Sequence, residues 1–233
     1  MGKVDNKWAL ILGASSGFGK ATGIELSKHG YNICGVHFDR KSMQPEVDAI
    51  KETITGNGAK ALFFNENAAD DEKRNMMLDN LKEEMDKEDG NSQVMVLLHS
   101  LAFGTLRPFI TDNPQDAIAN KHLEMTLNVM SHSLVYWTQD LFRRDLMGKG
   151  THIFAMTSSG GHEVWRTYGA VSAAKAALES HIRQLAFELS GFQIAVNAIR
   201  AGVTDTPALR KIPGHEDMLS IATQKNPGGR HTW

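Results

Sequence analysis

Tyr168 and Lys175 stand seven residues apart in the run TYGAVSAAKAALES. On an α-helix that spacing is just under two turns, so both side chains project from one face. A phenol beside an ammonium is a proton donor whose pKa a neighbouring cation lowers. A Tyr and a Lys share a helix face by chance in many proteins, and this pair gains meaning from a second feature near the N-terminus. There the apolar run WALIL leads directly into Gly13-Ala14-Ser15-Ser16-Gly17-Phe18-Gly19. The first glycine permits a tight turn, and the others let backbone N–H groups and a helix N-terminus approach a pyrophosphate. The G-x3-G-x-G spacing is wider at its start than the G-x-G-x-x-G of many dinucleotide folds; its place at the first strand-to-helix turn makes it informative.

Short apolar runs alternate with longer amphipathic stretches, which predicts repeated βα units on a parallel sheet. Strands are expected at 8–12, 31–37, 60–65, 93–99, 151–157 and 193–199, and helices at 17–29, 44–56, 69–88, 116–147 and 166–189. The pattern defines an α/β fold, a Rossmann-type doubly wound parallel sheet in three α/β/α layers, with residues 1–233 as a single domain. The two longest helices carry Trp137, Leu141, Leu178, Ile182 and Leu185, more apolar surface than one sheet face should need. A homo-oligomer, dimer or tetramer, built through those helices is expected; burial within the same subunit is the alternative.

A formal charge of −2 with scattered Lys and Arg gives no nucleic-acid footprint. The acidic run from Lys82 to Asp89 reads as a solvated helix end. The one cysteine, Cys34, falls in a predicted strand and suggests a reducing compartment. The opening apolar run is too short for a signal peptide or a membrane span, and Asn6 breaks the myristoylation pattern of the Met-Gly start, so a cytoplasmic enzyme with no membrane partner is expected. His99, His132 and His162 match no metal-ligand spacing, so no metal is expected.

Taken together, the chain resembles the short-chain dehydrogenase/reductases over nearly its whole length, and within them the enoyl-[acyl carrier protein] reductases, especially a divergent subgroup that keeps the G-x3-G-x-G loop. The resemblance rests on the Tyr-x6-Lys spacing of Tyr168 and Lys175, on the predicted fourth-strand end LLHSLAFG, and on the segment VTDTPALRKIPGHEDML. It implies an NAD(P)H-dependent reductase of enoyl thioesters in fatty acid synthesis. Tyr168 would stabilise the enolate, and Lys175 would bind the nicotinamide ribose and hold the phenol's pKa down. Gly13, Ser15, Ser16, Gly17, Phe18, Gly19, Ser100, Leu101 and Ala102 would line the cofactor, with Asn67 at the adenine or simply forming a turn. Gly202, Val203 and Thr206 would hold the carboxamide, Ala201 replacing the family's usual proline.

At the tip of the second strand, His37 and Arg40, with Lys41, favour NADP(H) over NAD(H), although Asp39 lies among them and HFDRK reads equally as a solvated turn. Two departures from the family leave the substrate open. Ser158 stands where many enoyl reductases have an aromatic, ten residues before Tyr168, so it or Ser159 could grip a carbonyl as in ketoreductases, or simply cap the strand end. Met130 stands where ketoreductases have a helix-bending Asn. A carbonyl or 3-ketoacyl reductase, or a catalytically silent nucleotide-binding relative, therefore remain alternatives. The stretch 207–222 reads as a helical lid for an acyl chain or as a surface helix, and Arg107, Arg200, Arg210 and Lys211 as possible contacts for an acidic acyl carrier protein. Family members continue beyond the equivalent of NPGGRHTW with a helix and a strand. Either the chain is cut at Trp233 or the sheet lacks its last edge strand.

Overall fold

The computed structural model describes residues 4–231; the Met-Gly start and Trp233 lie outside them. Six strands form one wholly parallel sheet: β1 Asn6–Leu12, β2 Tyr31–His37, β3 Ala61–Asn65, β4 Ser92–His99, β5 His152–Thr157 and β6 Ala195–Arg200, in the order β3-β2-β1-β4-β5-β6. The order reverses between β1 and β4, and at such a switch point the strand ends diverge into a ligand crevice. The helices are α1 Gly17–Lys28, α2 Gln44–Gly56, α3 Asp71–Asp86, α4 Asn120–Leu127, α5 Ser133–Arg143, α6 Gly169–Leu189 and α7 His215–Lys225.

Strand alternation divides the core into two faces. Trp8, Leu10 and Leu12 of β1 meet the side chains of α3, α5 and α6, while Ala9 and Ile11 meet those of α2 and β2 on the other face. Trp137, Leu141, Leu178, Ile182 and Leu185 all lie in the first of these clusters and are buried within the chain. The expectation that they build an oligomer interface is thereby corrected. The long helices pack beside α3 on one face of the sheet, and their apolar stripes are consumed there. The side chains of β6 beyond Val196 are exposed, and β6 forms the sheet edge.

Three expectations shift locally. The helix expected over 116–147 starts at Asn120, ends at Arg143 and is interrupted by a π-turn over Asn128–His132. Hydroxyls on both sides bond back one turn, Thr126 to the His122 carbonyl and Ser133 to the Val129 carbonyl, the kind of contact that bends helices. The last long helix begins at Gly169 rather than 166, which leaves Tyr168 as its N-cap residue. Glu88, read as part of a solvated end, accepts bonds from Trp8 Nε1 and Asn32 Nδ2 and pairs with Lys60.

Candidate active site at the carboxyl ends of the strands

The glycine loop leaves β1 held by two backbone bonds, from Gly13 N and Ala14 N to the Val36 carbonyl. Gly13 has φ +92°, and a Cβ there would stand 2.5 Å from the Ser100 carbonyl oxygen. A Cβ on Gly19 would come within 2.0 Å of the Gly13 carbonyl oxygen. Bare backbone is thus required where β1, α1 and the end of β4 converge. Gly17, at φ +52°, faces Thr206 with 3.4 Å between its would-be Cβ and the Thr206 Cγ2. Ser16 is the N-cap of α1 and makes no side-chain cap bond, so the helix N-terminus keeps its partial positive charge directed at the loop. Ser15, Phe18, Ser100 and Leu101 are half-buried around this crevice, with Val203 half-buried nearer the Thr206 side; Ala102 and Gly202 are exposed. The arrangement fits a dinucleotide, whose pyrophosphate the α1 amides and helix dipole would hold.

At the tip of β2, His37 is buried and its Nδ1 lies 2.9 Å from Asp39 Oδ2. Burial lowers the His37 pKa, while Asp39 acts against that shift. Asp39 is also stapled to β3, its N–H donating to Asn65 Oδ1 and its carbonyl accepting from Asn65 Nδ2. Arg40 is exposed beside it. The side-chain oxygen of Asn67 accepts from Ala69 N, the turn-forming arrangement considered for it.

Tyr168 and Lys175 converge on one pair of glycines. The Tyr168 ring lies so close over Gly160 that a Cβ there would meet its Cε1 at 2.5 Å, and a Cβ on Gly161 would touch the Lys175 Cβ at 3.5 Å. Ser158 caps this turn, its Oγ accepting from Gly160 N, and interacts with the Tyr168 phenol; Ser159 is exposed. Lys175 Nζ donates to the Met156 carbonyl at 2.7 Å and reaches the Leu101 carbonyl at 3.5 Å, so it bridges the segments following β4 and at the end of β5.

One electrostatic expectation is reversed. Burial pushes the Tyr168 pKa up, the Ser158 hydroxyl offsets this only in part, and Lys175 is bonded to backbone carbonyls instead of the phenol. Burial also lowers Lys175 to about 8. The charged form is the disfavoured one, so the unfolded chain keeps this proton up to the ordinary lysine range while the folded chain loses it near 8. Stability is therefore complete above the unfolded value and falls as pH drops from about 10.4 to about 8, by on the order of 3 kcal/mol. Lys175→Met is accordingly expected to raise the melting temperature of the cofactor-free protein at pH 7, with the gain shrinking toward pH 10. An equal gain at both pH values in thermal melts refutes this.

The strand-four histidine has a structural use. His99 is buried, its Nε2 is 2.9 Å from Ser133 Oγ, and Ser133 donates onward to the Val129 carbonyl. The serine proton is thereby committed, so His99 donates and is neutral, its pKa lowered to about 3 chiefly by burial. Met130, buried in the π-turn, packs in one cluster with Tyr168, Val171 and Ala174, and Ile212 of the 207–222 segment packs against that cluster. The segment forms a short turn at Leu209–Lys211 and α7, which contributes no buried residue. Among the described residues no helix is long and apolar enough to cross a membrane, and no group of three or more His, Cys, Asp or Glu could hold a metal ion.

Sequence reasoning missed Gly160 and Gly161; their place immediately after the Ser158-Ser159 pair was the available signal. It also missed Thr167, at φ +65° just before the phenol, a conformation that costs a β-branched residue on the order of 1–3 kcal/mol. An open cavity of about 800 Å³ lies away from this crevice, where Arg74 pairs with Asp71 and Asp140. The Arg74–Asp140 ion pair braces α3 against α5.

A parallel sheet with a glycine turn at its switch point and a Ser, Tyr and Lys grouped at the end of β5 is the scaffold of a nicotinamide-dependent reductase. The chain belongs to the short-chain dehydrogenase/reductase superfamily and, within it, to the family described as enoyl-(acyl carrier protein) reductase, whose model matches residues 13–232. It is 26% identical over 234 residues to the NADH-dependent enoyl-[acyl-carrier-protein] reductase of Aquifex aeolicus, covering 99% of this chain and 81% of that one. It is 25% identical over 210 residues to the 3-oxoacyl-[acyl-carrier-protein] reductase of Pseudomonas aeruginosa, covering 90% and 78%. In fold it is similar to the Bacillus cereus enoyl-acyl carrier protein reductase crystallised with NADP+ and an indole naphthyridinone, with a TM-score of 0.78 at 21% identity over 97% of this chain and 84% of that one. The protein is an NAD(P)H-dependent oxidoreductase.

Proposed function

We propose that the protein reduces the carbon–carbon double bond of an enoyl thioester, carried on an acyl carrier protein, with NADPH as the preferred donor. The observation that carries this reading is the seven-residue Tyr168–Lys175 spacing with both side chains seated on Gly160–Gly161 at the crevice. When bound, the reduced nicotinamide supplies the hydride. Addition at the β-carbon of an enoyl thioester builds negative charge on the thioester oxygen, which needs a donor placed in advance. The Tyr168 phenol is that donor: its raised pKa keeps it protonated at neutral pH, ready to donate a hydrogen bond or a proton. Lys175, anchored on the Met156 carbonyl, would hold the nicotinamide ribose. The glycine loop, Val203 and Thr206 would hold the rest of the cofactor.

The NADPH preference rests on Arg40 and Lys41 beside the β2 tip, with Asp39 turned toward His37. A second reading, reduction of a 3-ketoacyl thioester, is favoured by Ser158 standing at the phenol, where it can share a carbonyl oxygen with Tyr168. The experiment is to mix the protein with NADPH or NADH and follow cofactor absorbance on adding crotonyl thioester or acetoacetyl thioester. Oxidation with the enoyl substrate, at lower KM for NADPH, is expected. Turnover of the ketone alone selects the second reading, a tenfold preference for NADH overturns the cofactor choice, and binding without any turnover marks a silent relative.

A further inference from the structure

Both ends of the turn that carries Ser158 and Gly160 are tied to one carboxylate. Thr157, the last residue of β5, donates through Oγ1 to Glu179 Oε1 at 2.6 Å, and His162 Nε2 lies 2.9 Å from Glu179 Oε2. Glu179 belongs to α6, four residues beyond Lys175, and so lies one turn further along the same helix face. Its side chain is only 17% exposed. Burial acts to raise its pKa, but the bonds from Thr157 and His162 outweigh that and hold it below the ordinary carboxylate range. An ionised carboxylate with each oxygen engaged by a different donor is a two-point anchor, and such charge-assisted bonds are the stronger kind.

What lies between the two anchored residues is the part of the backbone that touches the reactive side chains. Ser158 meets the phenol, Gly160 lies under the Tyr168 ring, and Gly161 lies against the Lys175 side chain. The turn has little else to fix it: its internal bonds are Ser158 Oγ from Gly160 N and three backbone bonds, Gly161 N to the Ser158 carbonyl and His162 N and Glu163 N to the Ser159 carbonyl. We infer that Glu179 is a positioning residue whose carboxylate clamps Thr157 and His162 to the Lys175 helix, and so fixes where the Ser158 hydroxyl stands relative to the Tyr168 phenol. This deepens the reading of Tyr168 as the donor and rests on it. Glu179 bonds Thr157 and His162 and acts through the turn, so its effect belongs to the rate of the chemical step.

The test compares Glu179→Ala with Thr157→Val, which removes one donor, and Thr157→Ser, which keeps it. Glu179→Ala and Thr157→Val are expected to lower kcat roughly 10-fold or more, as small misplacements of reacting groups do, with KM and NADPH affinity within about twofold. Thr157→Ser should retain nearly full turnover. Amide hydrogen exchange across residues 158–162 should accelerate in the first two variants and not in the third. If Glu179→Ala does not fold, the Thr157 pair carries the test. Unchanged exchange, faster exchange with unchanged kcat, or a loss confined to KM each overturns the inference. Exchange is read without substrate, so the clamp is tested even if Tyr168 proves not to be the donor. Accelerated exchange in Glu179→Ala with unaltered turnover in Tyr168→Phe would sink the donor reading and leave the clamp standing.

Discussion

Tyr168→Phe is expected to lower turnover by roughly 10²-fold or more while leaving NADPH affinity within about twofold. The ring that packs over Gly160 and joins Met130, Val171 and Ala174 is retained by phenylalanine, so the fold and the crevice keep their shape. Only the hydroxyl is removed, and with it the donor proposed for the oxygen that gains charge. The residues proposed to hold the cofactor, the glycine loop and Lys175, are left alone by the substitution. Because burial raises the phenol's pKa, the wild-type rate should also stay independent of phenol ionisation through neutral pH, and any loss of rate attributable to a phenolate should come only in strong alkali. Steady-state kinetics with the enoyl and ketoacyl thioesters decide the matter. An unchanged kcat removes Tyr168 from the chemistry.

Gly19→Ala should be severely damaging. The added carbon would stand 2.0 Å from the Gly13 carbonyl oxygen, 2.9 Å from its carbonyl carbon and 3.3 Å from Ile11 Cγ2. The first two neighbours are backbone of the glycine turn itself, so no rotamer change relieves the clash; α1 has to move away from β1. Overpacking of this kind typically costs about 1–3 kcal/mol and occasionally more, and here the upper end is expected because the obstacle is main chain. The shift would also carry the α1 N-terminus away from the pyrophosphate position. Thermal melts should show the loss of stability, and cofactor titration a fall in NADPH affinity of at least about tenfold, as the proposed use of the helix amides as the anion site requires. Native affinity in a stable Gly19→Ala protein would refute the role given to this turn.

Much of this was legible in the sequence because the periodicities were strong. The six strands appear where short apolar runs alternate with longer amphipathic stretches, and the glycine turn follows β1 because only a loop of that composition can bring α1 so close. The errors have a common physical origin in tertiary contacts that spacing does not encode. Trp137 and Leu178 looked surplus because an amphipathic pattern gives no count of the layers that bury it. The π-turn depends on hydroxyl-to-carbonyl bonds and on His99 reaching Ser133, 34 residues away. Helical spacing put Tyr168 and Lys175 on one side, and they do share a neighbour, yet the sign of the phenol's shift came from burial and from the Met156 carbonyl drawing the ammonium off. Glu88 read as part of a solvated helix end, Glu179 carried no signal in the sequence, and only the fold gives them partners.

The 207–222 segment, which packs Ile212 against the Tyr168 cluster, has an evolutionary consequence. Through α7 it contributes no buried side chain to the core, and it meets the reactive cluster through Ile212. Its residues can therefore be exchanged at little cost to folding, whereas a change in the Ser158–Gly161 turn or on α6 disturbs the machinery directly. On the proposed reading of Tyr168 as the donor, what the crevice accepts can change through this segment without touching the donor itself.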